Sequence, residues 1–257
     1  VIINEVKSKK ELKAFVNFPF SLYKDSPYWV PALRSDDVNT FRSDKNPAFE
    51  FCSSRYWLAY QQGKIVGRIA GIINQRHIDK WGQKYVRFGW MDFIDNMDVS
   101  SALLNKVEEW ALENELEAVH GPLGFTDLDC EGMLVDGFNE MGTLATFYNH
   151  AYYPQHMEAA GYEKDTDWVE YEIQIPEKPD EKITRLSEIL LRKYDLRLLT
   201  FRKKKELMPY AKAVFDVHVR TSLLKGGFDE NRTNRTPCRT SSAKALWRNG
   251  AHCLLSD

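Results

Sequence analysis

The sequence predicts an α/β fold: a mixed, mostly antiparallel sheet flanked by helices, followed by the start of a second copy of the same unit. Three observations carry this. Residues 55–61 (RYWLAYQ), 64–74 (KIVGRIAGIIN) and 85–94 (YVRFGWMDFI) are apolar runs rich in β-branched and aromatic residues, and only Gln62-Gly63 separates the first two. Residues 99–114 carry Val99, Ala102, Leu103, Val107, Trp110 and Ala111 at helical spacing, with Asn105, Glu108, Glu109 and Glu113 on the opposite face. A shift of 195 positions lays residues 3–12 (INEVKSKKEL) over 198–207 (LLTFRKKKEL).

The remaining elements follow in chain order. Residues 1–6 read as a short strand, and Ser8-Lys9-Lys10-Glu11 has capping-box spacing, so a helix starts there. It is expected to break near Pro19. Phe18, Phe20, Tyr23, Tyr28, Trp29 and Pro31 then form an aromatic segment reaching Leu33, which suits core packing of a capping helix or a surface for an acyl chain. Asp98 is the expected N-cap of the long helix. Residues 117–120 read as a strand ending at Gly121-Pro122, and a long Gly-bearing connection runs to about Tyr148. A short helix over 154–160 is closed by Gly161, and the alternation of 168–175 (WVEYEIQI) predicts a last strand.

These elements divide the chain into a first domain over 1–175, a linker and helix over 176–195, the start of a truncated second copy over 196–217, and an atypical tail over 218–257. The tail loses periodicity and fills with Arg, Thr, Asn and Ser. Disorder or an out-of-frame end is expected there, because little apolar surface offsets the entropy of ordering it. Leu186, Ile189, Leu190, Leu198 and Phe201 of the incomplete copy predict self-association.

Composition narrows the partners. The tail holds seven basic against three acidic residues, net +4, which leaves −6 for the rest of a chain whose total is −2, so no nucleic-acid partner is expected. No apolar run is long enough for a transmembrane segment, and Val1-Ile2-Ile3-Asn4-Glu5 lacks the basic start of a signal peptide, so a cytoplasmic protein is expected. Cys52, Cys130, Cys238 and Cys253 are scattered without paired ligands, which predicts idle thiols and no metal. No Gly-rich phosphate loop, Gly-x-Ser-x-Gly elbow or His-Glu-x-x-His motif supports nucleotide hydrolysis, esterase or zinc-protease chemistry.

Two chemistry-bearing residues close strands: Asp92 near the end of the third sheet run and His120 at the end of the next. Either suits a general base, or a satisfied strand-end partner. Asp127, Asp129 and Glu131 form an acidic cluster suited to a cationic amine, a divalent ion, or plain solvation.

The element order, and the closing segment Tyr153-Pro154-Gln155-His156-Met157-Glu158-Ala159-Ala160-Gly161-Tyr162-Glu163-Lys164, resemble the GCN5-related N-acetyltransferase (acyl-CoA N-acyltransferase) superfamily. More narrowly, residues 121–126 (GPLGFT), 132–138 (GMLVDGF) and 148–153 (YNHAYY) resemble a poorly characterised bacterial two-domain branch. The resemblance implies acyl-CoA or acetyl-CoA as co-substrate, bound where the strands ending near Ile94 and His120 splay apart. Met91, Phe93 and Ile94 on the strand edge, Val99 and Ser100 at the helix start, and Asn149 and Tyr152 are then its contacts. Two departures stand out. Asp95-Asn96-Met97-Asp98-Val99-Ser100-Ser101 has two acids and no glycine where the family cradles the pyrophosphate on free N–H groups. Met157 occupies the place of the family's proton-donating tyrosine, with Tyr153 one turn earlier as the substitute.

The function implied is transfer of an acyl group from acyl-CoA to a small-molecule or lipid-like amine, some members of the branch resembling enzymes that acylate long-chain sphingoid bases. The alternative is a non-catalytic binding or scaffold module of the same fold with a degenerate CoA site. A third reading, aminoacyl transfer, requires a complete second copy.

Overall fold

Gln62 and Gly63 both adopt positive φ, 49° and 76°, as a two-residue hairpin requires, and they fold β2 (Cys52–Gln61) directly back onto β3 (Lys64–Asn74). β1 (Ile2–Glu5) pairs antiparallel with the outer edge of β2, and β4 (Tyr85–Phe93) pairs antiparallel with β3. β5 (Ala118–Gly121) then lies parallel to β4, in register from Tyr85↔Ala118 to Arg87↔His120. This computed structural model describes residues 1–126, 129–143, 146–171, 173–174, 176–225 and 252–256. It forms two units, one built from Val1–Glu170 together with a late strand and the other beginning at Tyr171.

Both faces of the sheet are covered, which is why β3 reads as a continuous apolar run. On one face α4 (Met97–Glu113) and α5 (Tyr153–Ala159) pack Val99, Leu103, Val107, Trp110 and Met157 against Trp57, Ile69, Phe88 and Phe93. On the other, α1 (Lys9–Leu22) packs Phe15 and Val16 against Tyr56, Leu58, Ala70, Ile72 and Trp90. α4 is turned slightly from its expected face: Leu104 and Ser100 are buried, and Ala102 sits at the margin. Two short helices that the sequence pattern did not signal, α2 (Arg34–Thr40) and α3 (Gln75–Trp81), fill the connections before β2 and after β3.

Several expectations are corrected by the structure. α1 does not break at Pro19 but runs through it to Leu22. Proline cannot donate to the carbonyl four residues earlier, and the Phe15 carbonyl so released accepts instead from Arg68 Nη1 at 3.0 Å. The N-cap of α4 is Asn96, not Asp98: Asn96 Oδ1 accepts from the Asp98 N–H at 2.9 Å. The strand that follows α5 is β6 (Glu163–Trp168) rather than 168–175. The apolar residues that gave 168–175 its alternation are exposed, 56% at Val169 and 80% at Ile173.

In the second unit, α6 (Glu181–Lys193) is capped by Asp180 and α7 begins at Lys204, in α7 (Lys204–Lys225). The two helix starts related by the shift share one hydrogen bond: Lys7 N–H donates to Glu11 Oε2 at 3.0 Å, and Arg202 N–H donates to Glu206 Oε2 at 3.0 Å. Residues 197–200, which the shift lays over β1, form no strand, since β1 needs β2 beside it and no second β2 follows among the described residues. Ile183, Leu186, Ile189, Leu190 and Leu198 are exposed. Most of the tail expected to lack structure lies outside the described residues. Its first residues continue α7, and β7 (His252–Ser256) pairs parallel with β5 and β6, satisfying two otherwise open edges.

Gly71 lies where a Cβ would stand 2.9 Å from the Trp110 ring and 3.0 Å from that of Trp57. Both rings are held in the core, so Gly71→Ala is expected to destabilise the first unit by about 1–3 kcal/mol, read as a lowered urea midpoint.

Candidate active site

β4 carries a bulge that shapes the site. Arg68 pairs with Asp92 and Ala70 with Gly89, so Ile69 alone faces Trp90 and Met91, and Trp90 takes φ 43°, a strained value for so large a residue. The extra residue turns Asp92 to the α1 side, opposite Arg68. Arg68 Nε donates to Asp92 Oδ2 at 2.7 Å, and the two side chains are 5% and 11% exposed. The other carboxylate oxygen accepts from Tyr23, whose hydroxyl lies 2.7 Å from Asp92 Oδ1. Tyr23 is the C-cap of α1, its N–H donating to the Pro19 carbonyl at 2.8 Å.

Tyr153, at the start of α5, completes the cluster. Its hydroxyl is 2.8 Å from that of Tyr23 and 3.5 Å from Asp92 Oδ1, and it accepts from the Phe93 N–H at 3.1 Å. Its ring stacks on Phe93 with centroids 4.2 Å apart. Burial first, and then the Asp92 charge, push the proton affinities of both tyrosine hydroxyls well above the usual value of 10, so both are neutral donors at physiological pH.

Asp92 and Trp90 form a wall between two clefts. The larger, about 280 Å³, has an apolar aromatic side of Pro19, Phe20, Trp29, Pro31 and Tyr148 and an acidic side of Asp37, Asp92 and Asp129. Burial raises Asp37 and Asp129, outweighing the Arg68 charge beside Asp37 and the Thr126 N–H bonded to Asp129. The smaller cleft, about 30 Å³, lies between β4 and the chain leaving β5, lined by Met91, Pro122, Gly132, Met133, Asn149 and Tyr153. It opens because β4 and β5 part after Arg87↔His120. The Leu123 N–H makes one more bond to the Phe88 carbonyl at 2.7 Å, and the backbones cross so closely that a Cβ on Gly89 would stand 2.3 Å from the Leu123 carbonyl oxygen.

The structure brings Asp92 and Tyr153 together and sets His120 apart. His120 is level with Arg87, five residues before Asp92 and so roughly 16 Å away along the strand. Its Nε2 is 3.4 Å from Asp165 Oδ2 without a hydrogen bond, so one reaction centre does not reach both proposed bases. Met91, Phe93, Val99, Ser100 and Asn149 are buried, and Ile94 and Tyr152 half-buried. Asn149 spends its amide on the chain, accepting from the Leu134 N–H at 2.7 Å and donating to the Leu134 carbonyl at 3.0 Å. Ser100 Oγ is 2.8 Å from His156 Nδ1, and His156 Nε2 is 3.0 Å from Asp95 Oδ1, so the acidic start of α4 is tied to α5. Tyr152 donates to the Phe93 carbonyl at 2.5 Å. Asp127 of the acidic cluster lies outside the described residues. Neither Cys52 nor Cys130 is in a disulfide, and burial pushes the Cys52 thiol up to about 11 and raises that of Cys130.

Sequence reasoning missed Arg68 and Tyr23 as site residues. Arg68 is the one cation inside the apolar run 65–73, a signal available in the sequence, whereas nothing local distinguishes Tyr23 from the aromatic residues around it.

No family model matches the chain. It is 28% identical over 216 residues to Protein YghO of Escherichia coli (strain K12), covering 84% of this chain and 55% of that one. It is 27% identical over 198 residues to the bacterial ceramide synthase of Caulobacter vibrioides (strain NA1000 / CB15N), covering 74% and 52%. The chain thus spans about half the length of the curated relatives it matches. Among solved structures, a probable acetyltransferase matches with a TM-score of 0.39 at 11% identity, over 69% of this chain and 100% of that one. A tandem GNAT protein from the clavulanic acid biosynthesis pathway matches with a TM-score of 0.35 at 15% identity, over 45% and 34%. Its strand order, its bulged β4 and the parting of β4 from β5 give the chain a mixed α/β fold, a mostly antiparallel β1–β5 sheet flanked by helices, as the sequence predicts.

Proposed function

We propose that this chain carries the catalytic unit of an N-acyltransferase that moves an acyl group from acyl-CoA to a lipid-like amine. The observation that carries the reading is the buried cluster of Asp92 and Tyr153 on the wall between two clefts. Direct transfer needs three things there: a group to take the amine proton, an N–H to polarise the thioester carbonyl, and an acid for the departing thiolate. Asp92 faces the large cleft and serves as the base. Tyr153, neutral and next to the small cleft, serves as the acid. The bulge at Trp90 and Met91 interrupts the ladder where the carbonyl would lie.

In this reading the thioester lies along β4, with Met91, Phe93 and Ile94 beside it, Val99 and Ser100 at the start of α4, and Asn149 and Tyr152 across from them. The amine enters the large cleft with its charged head near Asp37, Asp92 and Asp129 and its chain along Phe20, Trp29 and Pro31. The similarity to a ceramide synthase supports a long-chain acceptor.

A second reading, a binding module without chemistry, is favoured by one feature. Tyr152 and Tyr153 already satisfy the carbonyl and the N–H of Phe93, and Asp95 places a carboxylate at the start of α4, where a phosphate would otherwise gain from the helix dipole.

Release of CoA thiol from palmitoyl-CoA in the presence of sphinganine separates the two. The transferase reading expects amine-dependent release, slowed by about 10²–10⁴-fold in Asp92→Asn and about 10²-fold in Tyr153→Phe. Absence of release from the unaltered chain would favour the module. The tyrosines also set an alkaline limit on stability. Their folded proton affinities are raised above the unfolded value near 10, so their contribution is complete below that pH and is lost as pH rises toward the folded values. The urea midpoint should therefore fall between about pH 9 and about pH 11, and fall less in Tyr153→Phe.

A further inference from the structure

Tyr23 has no role in the transfer as described, yet its hydroxyl bridges the two groups that do, 2.7 Å from Asp92 Oδ1 and 2.8 Å from the Tyr153 oxygen. Asp92 and Tyr153 are themselves 3.5 Å apart. A hydroxyl has one proton to give and a carboxylate only accepts, so the directions follow. Tyr23 donates to Asp92, Tyr153 donates to Tyr23, and the Tyr153 oxygen accepts from the Phe93 N–H. At rest, then, the Tyr153 proton points away from the small cleft.

We propose that Tyr23 is a proton-relay residue that couples deprotonation of the acceptor amine to protonation of the leaving thiolate. This deepens the acyltransferase reading and rests on it. The charged amine head first gives one proton to water in the large cleft and becomes nucleophilic; as the C–N bond then forms, the nitrogen loses a second proton to Asp92 Oδ1. Asp92 is now a donor, and the chain reverses: Asp92 O–H to the Tyr23 oxygen, Tyr23 O–H to the Tyr153 oxygen, and Tyr153 O–H to sulfur. The C–S bond breaks as sulfur takes that proton. In this step one proton has moved from nitrogen to sulfur and all three side chains regain their starting states, so the only proton released to water is the one that the charged amine lost before attack.

The surroundings suit this. Arg68 stays on Oδ2, leaving Oδ1 as the oxygen that exchanges. Tyr23 and Tyr153 are 2% and 1% exposed, so water does not short-circuit the path. The Tyr23 ring is held by Trp29 at 5.4 Å and His150 at 4.9 Å, and its backbone by Pro19. Tyr23 does not touch the small cleft, so its removal leaves the thioester contacts in place.

The test is single-turnover acyl transfer from palmitoyl-CoA to sphinganine in mixtures of light and heavy water. The unaltered chain is expected to give a curved proton inventory, reporting more than one proton in flight. Tyr23→Phe should react about 10²-fold more slowly with a linear inventory, while binding palmitoyl-CoA with unchanged Kd. If Tyr23→Phe fails to fold, Tyr23→3-fluorotyrosine keeps the shape and changes only the acidity of the hydroxyl. It should alter the rate and its pH profile at unchanged Kd. A Tyr23→Phe or fluorotyrosine variant that matches the unaltered chain in rate and inventory overturns the relay alone. An unaltered chain that releases no thiol overturns the acyltransferase reading and the relay with it.

Discussion

The ion pair between Arg68 and Asp92 is the constraint on which the site depends. Two charges this deeply buried lose more in desolvation than they regain from one another unless every remaining donor and acceptor is met. Here four elements supply partners: β3 carries Arg68, β4 Asp92, α1 the Phe15 carbonyl and Tyr23, and α5 Tyr153. Removing one member leaves its partner buried and uncompensated, at a cost of about 3–5 kcal/mol. The same bonds therefore hold α1 and α5 on opposite sides of one strand and tie the three oxygens of Asp92, Tyr23 and Tyr153 together.

Pro19 shows how a residue that looks like a defect becomes part of that frame. An unbroken helix would spend the Phe15 carbonyl on its own N–H four residues on, and Arg68 would have to find another acceptor in an apolar setting. Proline removes the competing donor, so the carbonyl is free at the point where the guanidinium arrives. The bulge in β4 is the second such device. Trp90 tolerates φ 43° because Phe41 and Phe125 pack against its ring, and the extra residue aims Asp92 at Arg68.

What was legible in the sequence divides along the same physical line. The hairpin at Gln62-Gly63, the long helix and the capping box at Ser8 rest on local bonds that local residues announce, and the Glu206 echo of Glu11 recovers its hydrogen bond even though its strand does not form. The misplaced strand over 168–175, the expected break at Pro19 and the overlooked Tyr23 all depend on partners distant in sequence. A strand needs a partner, a proline in a helix needs something to use the carbonyl it frees, and a tyrosine joins a buried cluster only where distant residues place their oxygens beside it. Asp92 and His120 are both read from their places at strand ends, but pairing places His120 beside Arg87, so register, which local residues do not announce, keeps the two apart.

The two ends of the thioester site are built on different electrostatic terms. At the reactive end, neutral hydroxyls and a paired carboxylate give a site whose charge is balanced internally. At the start of α4, where the helix dipole would favour a phosphate, Asn96 takes the capping role and Asp95 adds a negative charge that leans on His156. A donor held mainly by its phosphates would meet repulsion there, screened because the Asp95 side chain is 69% exposed. Affinity in the proposed reaction has then to come from the edge of β4 and from apolar contact along the acyl chain. In the proposed reaction a long acyl group would then gain over acetyl, because each methylene it buries adds about 0.8 kcal/mol that the phosphate end does not supply.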